Sequence, residues 1–560
     1  MSRISPSSST GTTSSPATES PGLNRNVGFW GLMFVSLGSI IGSGWLLGAL
    51  TAASVAGGAS LISWVLAAVM LMVLALIHAD LGAAYPVAGG TARYPHYAFG
   101  GFAGFTAGWV TYLQAVAIAP LEVEASLDYV NSLPAVGKNF ALVNNADGTL
   151  TGRGIVIGIL AIALFTFINL MGSKFLSDSN TGIVIWKFLV PTLTVVILLT
   201  VSFHPQNFTA NGGFAPFGFH GIFAALPAGV VFALQGFEQA SQMAGEARNP
   251  KKDVSRAIIV AMIVGAILYI FLEVAFVAAL NPELLAKGGW AKPLGANVGA
   301  YGPYYTLAIG AGVGWLAVVL IIDAVISPGG TGLIYIGTTA RISYALGLPK
   351  ALTKVSKRGV PIWSILLASA FGVLFFLPAP SWQELVGLIT GATAIMYAFG
   401  PISLGALMRS DVNREHPYRV PFPRVLLPLG FAFANLIIYW GTFYSTWRLA
   451  IAVLIGQVIF VIAALVKARS IDIAKARWQS AVWIWPWLLG MIVIGYLGNY
   501  GKPGSILHVL PEDWDALIVI AFSIIVYNFA IRTVVATEVV EEAVAADLQD
   551  EAGGVTVHKN

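Results

Sequence analysis

The sequence predicts an all-α, polytopic membrane protein of about fourteen transmembrane helices. Three observations lead there. Charged residues make up 10% of the 560 and hydrophobic ones 57%, with a mean hydropathy of +0.79; soluble domains carry roughly 25% charged residues. Apolar runs long enough for a hydrocarbon core of about 30 Å recur along the whole chain. The basic residues fall unevenly between alternate connections, as the positive-inside rule requires of a membrane protein. Lipid is the solvent for a surface that is apolar to this degree.

Residues 1–24 are rich in Ser, Thr and Pro with no apolar core, which reads as a disordered cytoplasmic tail and not a secretory signal. Spans are expected at 28–54, 58–84, 98–131, 154–172, 179–203, 220–245, 254–281, 303–346, 361–378, 382–408, 424–445, 448–468, 480–500 and 515–536. The third and eighth exceed what a perpendicular helix needs, so each is expected to tilt or to extend beyond the bilayer. Arg448 sits in the very short connection between the eleventh and twelfth. From Thr537 the chain carries Glu538, Glu541, Glu542, Asp547, Asp550 and Glu551, a pattern that reads as a solvated acidic cytoplasmic tail (537–560), part of it helical. With both termini cytoplasmic, 23 of the 30 basic residues fall inside and six outside, while Lys187 lies within a span. One helix more or fewer would scramble that asymmetry.

Composition also excludes function classes. There is no Cys, so no disulfide framework, thiolate metal site or Cys nucleophile. The sequence pI is about 9.0, but the net charge of +4 is scattered, which argues against a nucleic-acid-binding module. The seven histidines show no HExxH pair, and neither GxxxxGK[ST] nor GxSxG occurs, so no catalytic residues, metal or cofactor are expected. Pore-lining charge rings and a repeated filter sequence are lacking too, which argues against a channel.

Two spans contain irregularities. Span one holds GSIIGSGW, Gly38 to Trp45, where glycines and serines weaken the helix and let its backbone open. A small-residue packing face explains the same spacing, and the residues alone leave both readings open. Span six holds FALQGFEQASQMAGE, Phe232 to Glu246, with Gln235, Glu238 and Gln239 around a glycine. Polar groups at that depth must face protein or a watery cavity. The breaks lie five spans apart in oppositely running helices, which suggests a five-plus-five inverted repeat with a site at the midplane. An opened helix offers N–H groups to a carboxylate and C=O groups to an ammonium, a match for an amino acid.

These motifs resemble those of the amino acid–polyamine–organocation superfamily of transporters. IIGSGW resembles its first-helix motif, AYPVAGGTARYPHYAFG (Ala84 to Gly100) its second-to-third-helix loop, and GFEQASQMAGEARNPKKDVSRAI (Gly236 to Ile258) its sixth-helix signature. TTARISYALGLPKAL, Thr338 to Leu352, resembles the end of its eighth helix. The resemblance implies a leucine-transporter-like ten-helix core over 28–408, with four additional helices over 424–536 that carry no usable motif. It implies that Ser43 and Gly44 bind the substrate carboxylate and that the Ile40 carbonyl binds the ammonium. By the same resemblance Phe232 is an aromatic gate whose carbonyl faces the ammonium with that of Gln235, and Ile118 and Ala119 line the side-chain pocket.

Charged residues placed deep within spans include Glu122, Glu124, Lys187, Glu238, Glu273 and Asp323. A membrane-buried lysine is either paired or titrating, because burial disfavours its charge. The resemblance puts Lys187 where proton-coupled members carry a fifth-helix lysine; the other reading is a permanent pair with Asp323. Glu122 and Glu124 point about 200° apart on a helix, so only one faces the site. Glu122 is the expected one, for substrate binding and for proton coupling. Glu238 and Asp323 are expected to be gating or structural, and Glu273 has no assigned role. The expected function is import of an amino acid across the cytoplasmic membrane by proton symport. The layout and APLEVEAS (Ala119 to Ser126) resemble the bacterial aspartate–proton symporter branch, and neutral polar groups such as Gln114 or Gln235 would hold an acidic side chain. A neutral or cationic amino acid or polyamine permease or exchanger, and a non-transporting amino-acid sensor, are the alternatives. The expected partners are therefore the amino acid, protons and the lipid bilayer.

Overall fold

The computed structural model describes residues 25–144, 148–171, 173–294, 302–346, 356, 360–377, 381–465, 476–501, 504–511 and 514–551. The N-terminal tail (1–24), residues 552–560 and the end of the eighth-span motif after Leu346 lie outside them. Among the described residues there are helices, turns and isolated bridges but no named strand. The helices are α1 (Phe29–Ile40), α2 (Ser43–Ala56), α3 (Ser60–Ala84), α4 (Gly90–Phe99), α5 (Gly101–Asn131), α6 (Pro134–Asn139), α7 (Gly152–Leu170) and α8 (Ser173–Val201). Then come α9 (Gly218–Ala225), α10 (Val231–Leu234), α11 (Gln239–Gln242), α12 (Pro250–Ala279), α13 (Pro282–Gly288), α14 (Pro303–Gly310) and α15 (Gly314–Ala345). The last are α16 (Ile362–Leu374), α17 (Trp382–Ser410), α18 (Pro423–Trp440), α19 (Phe443–Leu465), α20 (Ile484–Leu497), α21 (Asp515–Ala530) and α22 (Thr537–Glu551).

Ten stretches among the described residues are long and apolar enough to cross a membrane, the Ser43–Ala84 stretch counted as one. Four shorter apolar helices accompany them: Phe29–Ile40, Gly218–Leu234, Ile362–Leu374 and Asp515–Ala530. Apolar side chains such as Leu160 (63%), Phe167 (62%) and Leu465 (70%) stay exposed, as a lipid-facing wall requires. The expected third span (98–131) is one long helix, α5, preceded by α4, whereas the expected eighth (303–346) proves to be two helices. Gly100, at φ +86°, turns α4 into α5, and Gly312, at φ +75°, separates α14 from α15. Both positions lie in the left-handed region that glycine alone enters without strain.

Span one is interrupted between Ile40 and Ser43, and span six between Leu234 and Gln239. The two interruptions pack on each other. Gly236 has φ +113°, and a Cβ there would lie 2.8 Å from Ser39 Cβ and 3.0 Å from Ile40 N. A Cβ on Gly44 would lie 2.6 Å from Ala233 Cα. Ser36 Oγ bridges them, donating to Phe237 O at 2.9 Å and accepting from Ala240 N at 3.0 Å. The glycines therefore serve both openings: they release the helices and let the two backbones touch.

The later helices are pinned to this bundle by buried polar ties. Asn435 on α18 donates to Ser523 on α21 and accepts from Trp487 on α20, both at 2.8 Å. Trp483 and Trp487 pack edge-on against Phe399 of α17. The acidic C-terminal segment is docked in place of a solvated tail: α22 buries Val540 and Val544, and Asp547 accepts from Arg93 (2.5 Å) and Tyr97 (2.6 Å) on α4. The i, i+4 spacing of Val540 and Val544 gives this otherwise polar helix one apolar stripe to bury.

Candidate functional site

The start of α2 opens a set of backbone N–H groups toward the middle of the bundle, and a carboxylate already occupies it. Ser43 N donates to Glu122 Oε2 at 2.7 Å, and both residues are buried. Glu122 reaches this point from α5, and a Cβ on Gly42 would lie 2.6 Å from its Oε1 and 2.9 Å from Thr331 Oγ1. Only glycine fits there. A buried carboxylate on the first turn of a helix is held by charge-assisted bonding and by the helix dipole together.

The end of α1 offers carbonyls, and these carry cationic and hydroxyl donors. Lys187 Nζ, on α8, donates to Gly38 O at 2.6 Å and to Thr331 Oγ1 at 2.7 Å. Thr331 in turn donates to Gly38 O at 3.1 Å. The Tyr269 hydroxyl of α12 donates to Ile40 O at 2.8 Å. Among the described residues Lys187 has no carboxylate within ion-pair distance. Asp323 is engaged elsewhere, accepting from Trp45 Nε1 at 3.1 Å and Ser327 Oγ at 2.7 Å, so the permanent Lys187–Asp323 pair is not formed.

A small cavity lies between the two breaks, with space for little more than a water. Ile40, Gly44, Ile118, Glu122, Phe232 and Gln235, all expected site residues, line it. Ser43 stands just outside, its amide on Glu122 and its Oγ accepting from Trp382 Nε1 at 3.3 Å. Ala119 does not reach the cavity; it faces Ile162, Ile336 and Ser369 on the other side of α5. Adjacent helical positions point about 100° apart, and Ile118 takes the inner direction. Glu124 likewise points elsewhere, and neither of its carboxylate oxygens has a partner among the described residues.

Phe232 forms an edge-on contact with Trp382 at 5.9 Å, so the start of α17 and the end of α10 meet beside Ser43. Glu238 holds the second break from within. It accepts from Gly236 N (3.1 Å), Tyr397 Oη (2.7 Å) and Gln239 Nε2 (3.1 Å), and lies outside the cavity lining. Glu273, without a role in the sequence reading, accepts from Ser60 Oγ and from Trp64 Nε1 at 2.8 Å. Trp64 stacks on Tyr269 at 5.2 Å, so this carboxylate steadies the tyrosine that reaches Ile40.

Sequence reasoning missed Tyr269, Thr331, Tyr335 and Trp382. Only Thr331 left a signal, since SPGGTG, Ser327 to Gly332, is a small polar patch inside an apolar span. Among the described residues no cluster of His, Asp or Glu could hold a metal.

The pattern of the family described as amino acid permease matches residues 27–494. A glutamate/serine transporter of Bacillus subtilis is 35% identical over 534 residues, covering 93% of this chain and 96% of its own length. An aspartate–proton symporter of the same organism is 32% identical over 519 residues, covering 90% and 96%. A branched-chain amino acid permease, also from Bacillus subtilis, is 26% identical over 449 residues, covering 78% and 92%.

Proposed function

Because the chain belongs to the amino acid permease family, we propose that it carries an amino acid inward across the cytoplasmic membrane together with a proton. One observation carries this reading: the Glu122 carboxylate sits on the Ser43 amide, the place that the opened α2 offers to a substrate carboxylate. The substrate takes that amide once Glu122 yields it, and protonation of Glu122 removes the charge that holds it there. Substrate and proton then enter together. The ammonium goes to the carbonyls of Ile40, Phe232 and Gln235. Gly44 leaves room for the carboxylate, Ile118 walls the pocket, and Phe232 closes over it with Trp382. Lys187, on Gly38 and Thr331, senses the opened end of α1, where Thr331 and Glu122 both lie against Gly42. Glu238 and Asp323 act as gate and frame.

The same reading gives fourteen crossings in a five-plus-five inverted repeat followed by four further helices. It is supported by the ten long and four shorter apolar stretches, with α1 and α2 as halves of span one and α3 as span two. Cytoplasmic termini are supported by the charge asymmetry. The substrate is an acidic amino acid, supported by the names of the two relatives above 30% identity. A small hydroxyl amino acid is the second reading, favoured by serine in the first of those names.

The test uses purified protein in liposomes with an alkaline lumen and labelled aspartate, glutamate and serine. Accumulation that collapses with a protonophore is expected. Uptake that needs sodium and ignores pH would overturn proton coupling, and absence of counterflow for every amino acid would leave a sensor.

A further inference from the structure

Tyr335 Oη, Gln114 Nε2 and Gln235 Oε1 are buried and make no well-aligned hydrogen bond among the described residues; the nearest polar neighbours of the Tyr335 hydroxyl are the Gln114 and Gln239 side chains. Natural cores leave few such atoms unpaired, because each loses its water without compensation. The other polar groups of the lining are committed. Glu122 holds Ser43, Thr331 holds Gly38, and Ser39 Oγ donates to Val35 O.

Two of the three lie together. Tyr335, in the cavity lining, is one turn beyond Thr331 on α15, and Gln114 is one turn before Ile118 on α5. The helices run antiparallel and close: a Cβ on Gly332 would be 3.6 Å from Ala119 Cα, and one on Gly108 would be 3.1 Å from Leu346 Cδ2. That register brings the Gln114 amide beside the Tyr335 hydroxyl, with the Gln239 amide also next to it. A phenol supplies one donor and a primary amide two.

We propose that Tyr335 and Gln114 form the side-chain recognition site, binding an oxygen acceptor on the substrate side chain, carboxylate or hydroxyl, through neutral donors. The proposal rests on the reading of the chain as an amino acid carrier. With one amide N–H turned to the phenol oxygen, the phenol O–H and the second amide N–H remain to hold a carboxylate without a countercharge, which matters because Lys187 is committed to Gly38 and Thr331. They offer nothing to an aliphatic side chain, so selectivity follows from leaving them unpaired when the wrong substrate binds.

The test measures initial uptake of aspartate, glutamate, serine and alanine by full-length protein in liposomes, for wild type, Tyr335→Phe and Gln114→Met. The KM ratio of aspartate to alanine should rise about tenfold or more in each variant, since hydrogen bonds to charged groups are the stronger kind. A rise confined to serine keeps the site and assigns it to a hydroxyl. Ratios within about twofold of wild type, or an equal loss for all four substrates, overturn the proposal. Wild-type protein that moves none of the four overturns the carrier reading itself. Should Tyr335→Phe fail to fold, competition against wild type decides: serine must displace labelled aspartate better than 2-aminobutyrate, which lacks the side-chain oxygen.

Discussion

Replacing Glu122 by Gln separates its two assigned roles, as a competitor for the Ser43 amide and as a proton carrier. In the wild type the amide is held by a buried carboxylate at 2.7 Å. Hydrogen bonds to charged groups are worth about 1.5–3 kcal/mol net, and neutral ones about 0.5–1.5. Glutamine keeps an acceptor of the same length but loses the charge, so the substrate displaces a competitor weaker by about 1–1.5 kcal/mol. That difference is about tenfold in affinity. The pH dependence changes as well. If the wild type binds substrate only with Glu122 protonated, its apparent Kd rises about tenfold per pH unit on the alkaline side of that titration. In Glu122→Gln the slope disappears and Kd stays near its low-pH value. Calorimetric titration with aspartate in detergent, from about pH 5 to about pH 8, reads both quantities. Weaker binding in the variant with the wild-type slope intact would refute the competition, and would assign the coupling proton to another group.

Lys187→Ala should abolish accumulation driven by the proton gradient while counterflow persists; in liposomes, accumulation at the wild-type level would remove Lys187 from coupling. The same variant leaves Gly38 O short of one donor and should lose about 1–3 kcal/mol of stability, visible as a lower Tm. Gly44→Val should abolish substrate binding measured by calorimetry, because its Cβ would sit 2.6 Å from Ala233 Cα and force the two breaks apart. Asp547→Asn should weaken the docking of α22 by about 1 kcal/mol, since the pair with Arg93 is partly exposed, and limited proteolysis should then cut the C-terminal helix faster.

The helices and the two breaks were legible because they depend on local chemistry. Long apolar runs must form helices in lipid, where no water satisfies the backbone. A glycine beside polar residues inside such a run has few explanations, and Gly236 at φ +113° shows why only glycine serves. The charge of the C-terminal segment was legible, but its docking was not. Val540 and Val544 look like incidental valines in an acidic stretch, yet both are buried, and Asp547 on the same helix finds Arg93 and Tyr97 on α4. The division of the eighth span is hidden in the sequence for a related reason: Gly312 stands among other glycines, and only its backbone geometry marks the turn.

The site itself was half legible, and the missing half has one physical cause. Resemblance assigns residues along a helix, but the cavity selects them by direction, and one residue on a helix is about 100°. The resemblance pairs Ile118 with Ala119, yet only Ile118 faces the cavity; Ala119 packs among Ile162 and Ile336. Glu122 and Glu124 divide in the same way, and there the charge of the breaks decides, since only Glu122 meets an exposed amide. Tyr269, Tyr335 and Trp382 are aromatic residues in apolar spans, where their rings look like ordinary core. Their polar atoms distinguish them. Tyr269 and Trp382 spend theirs on Ile40 and Ser43, and Tyr335, in the cavity lining, has only the Gln114 and Gln239 amides beside its hydroxyl. A sequence cannot separate a ring that fills space from one whose hydroxyl waits for a ligand, because that difference lies in what stands opposite, on helices hundreds of residues away.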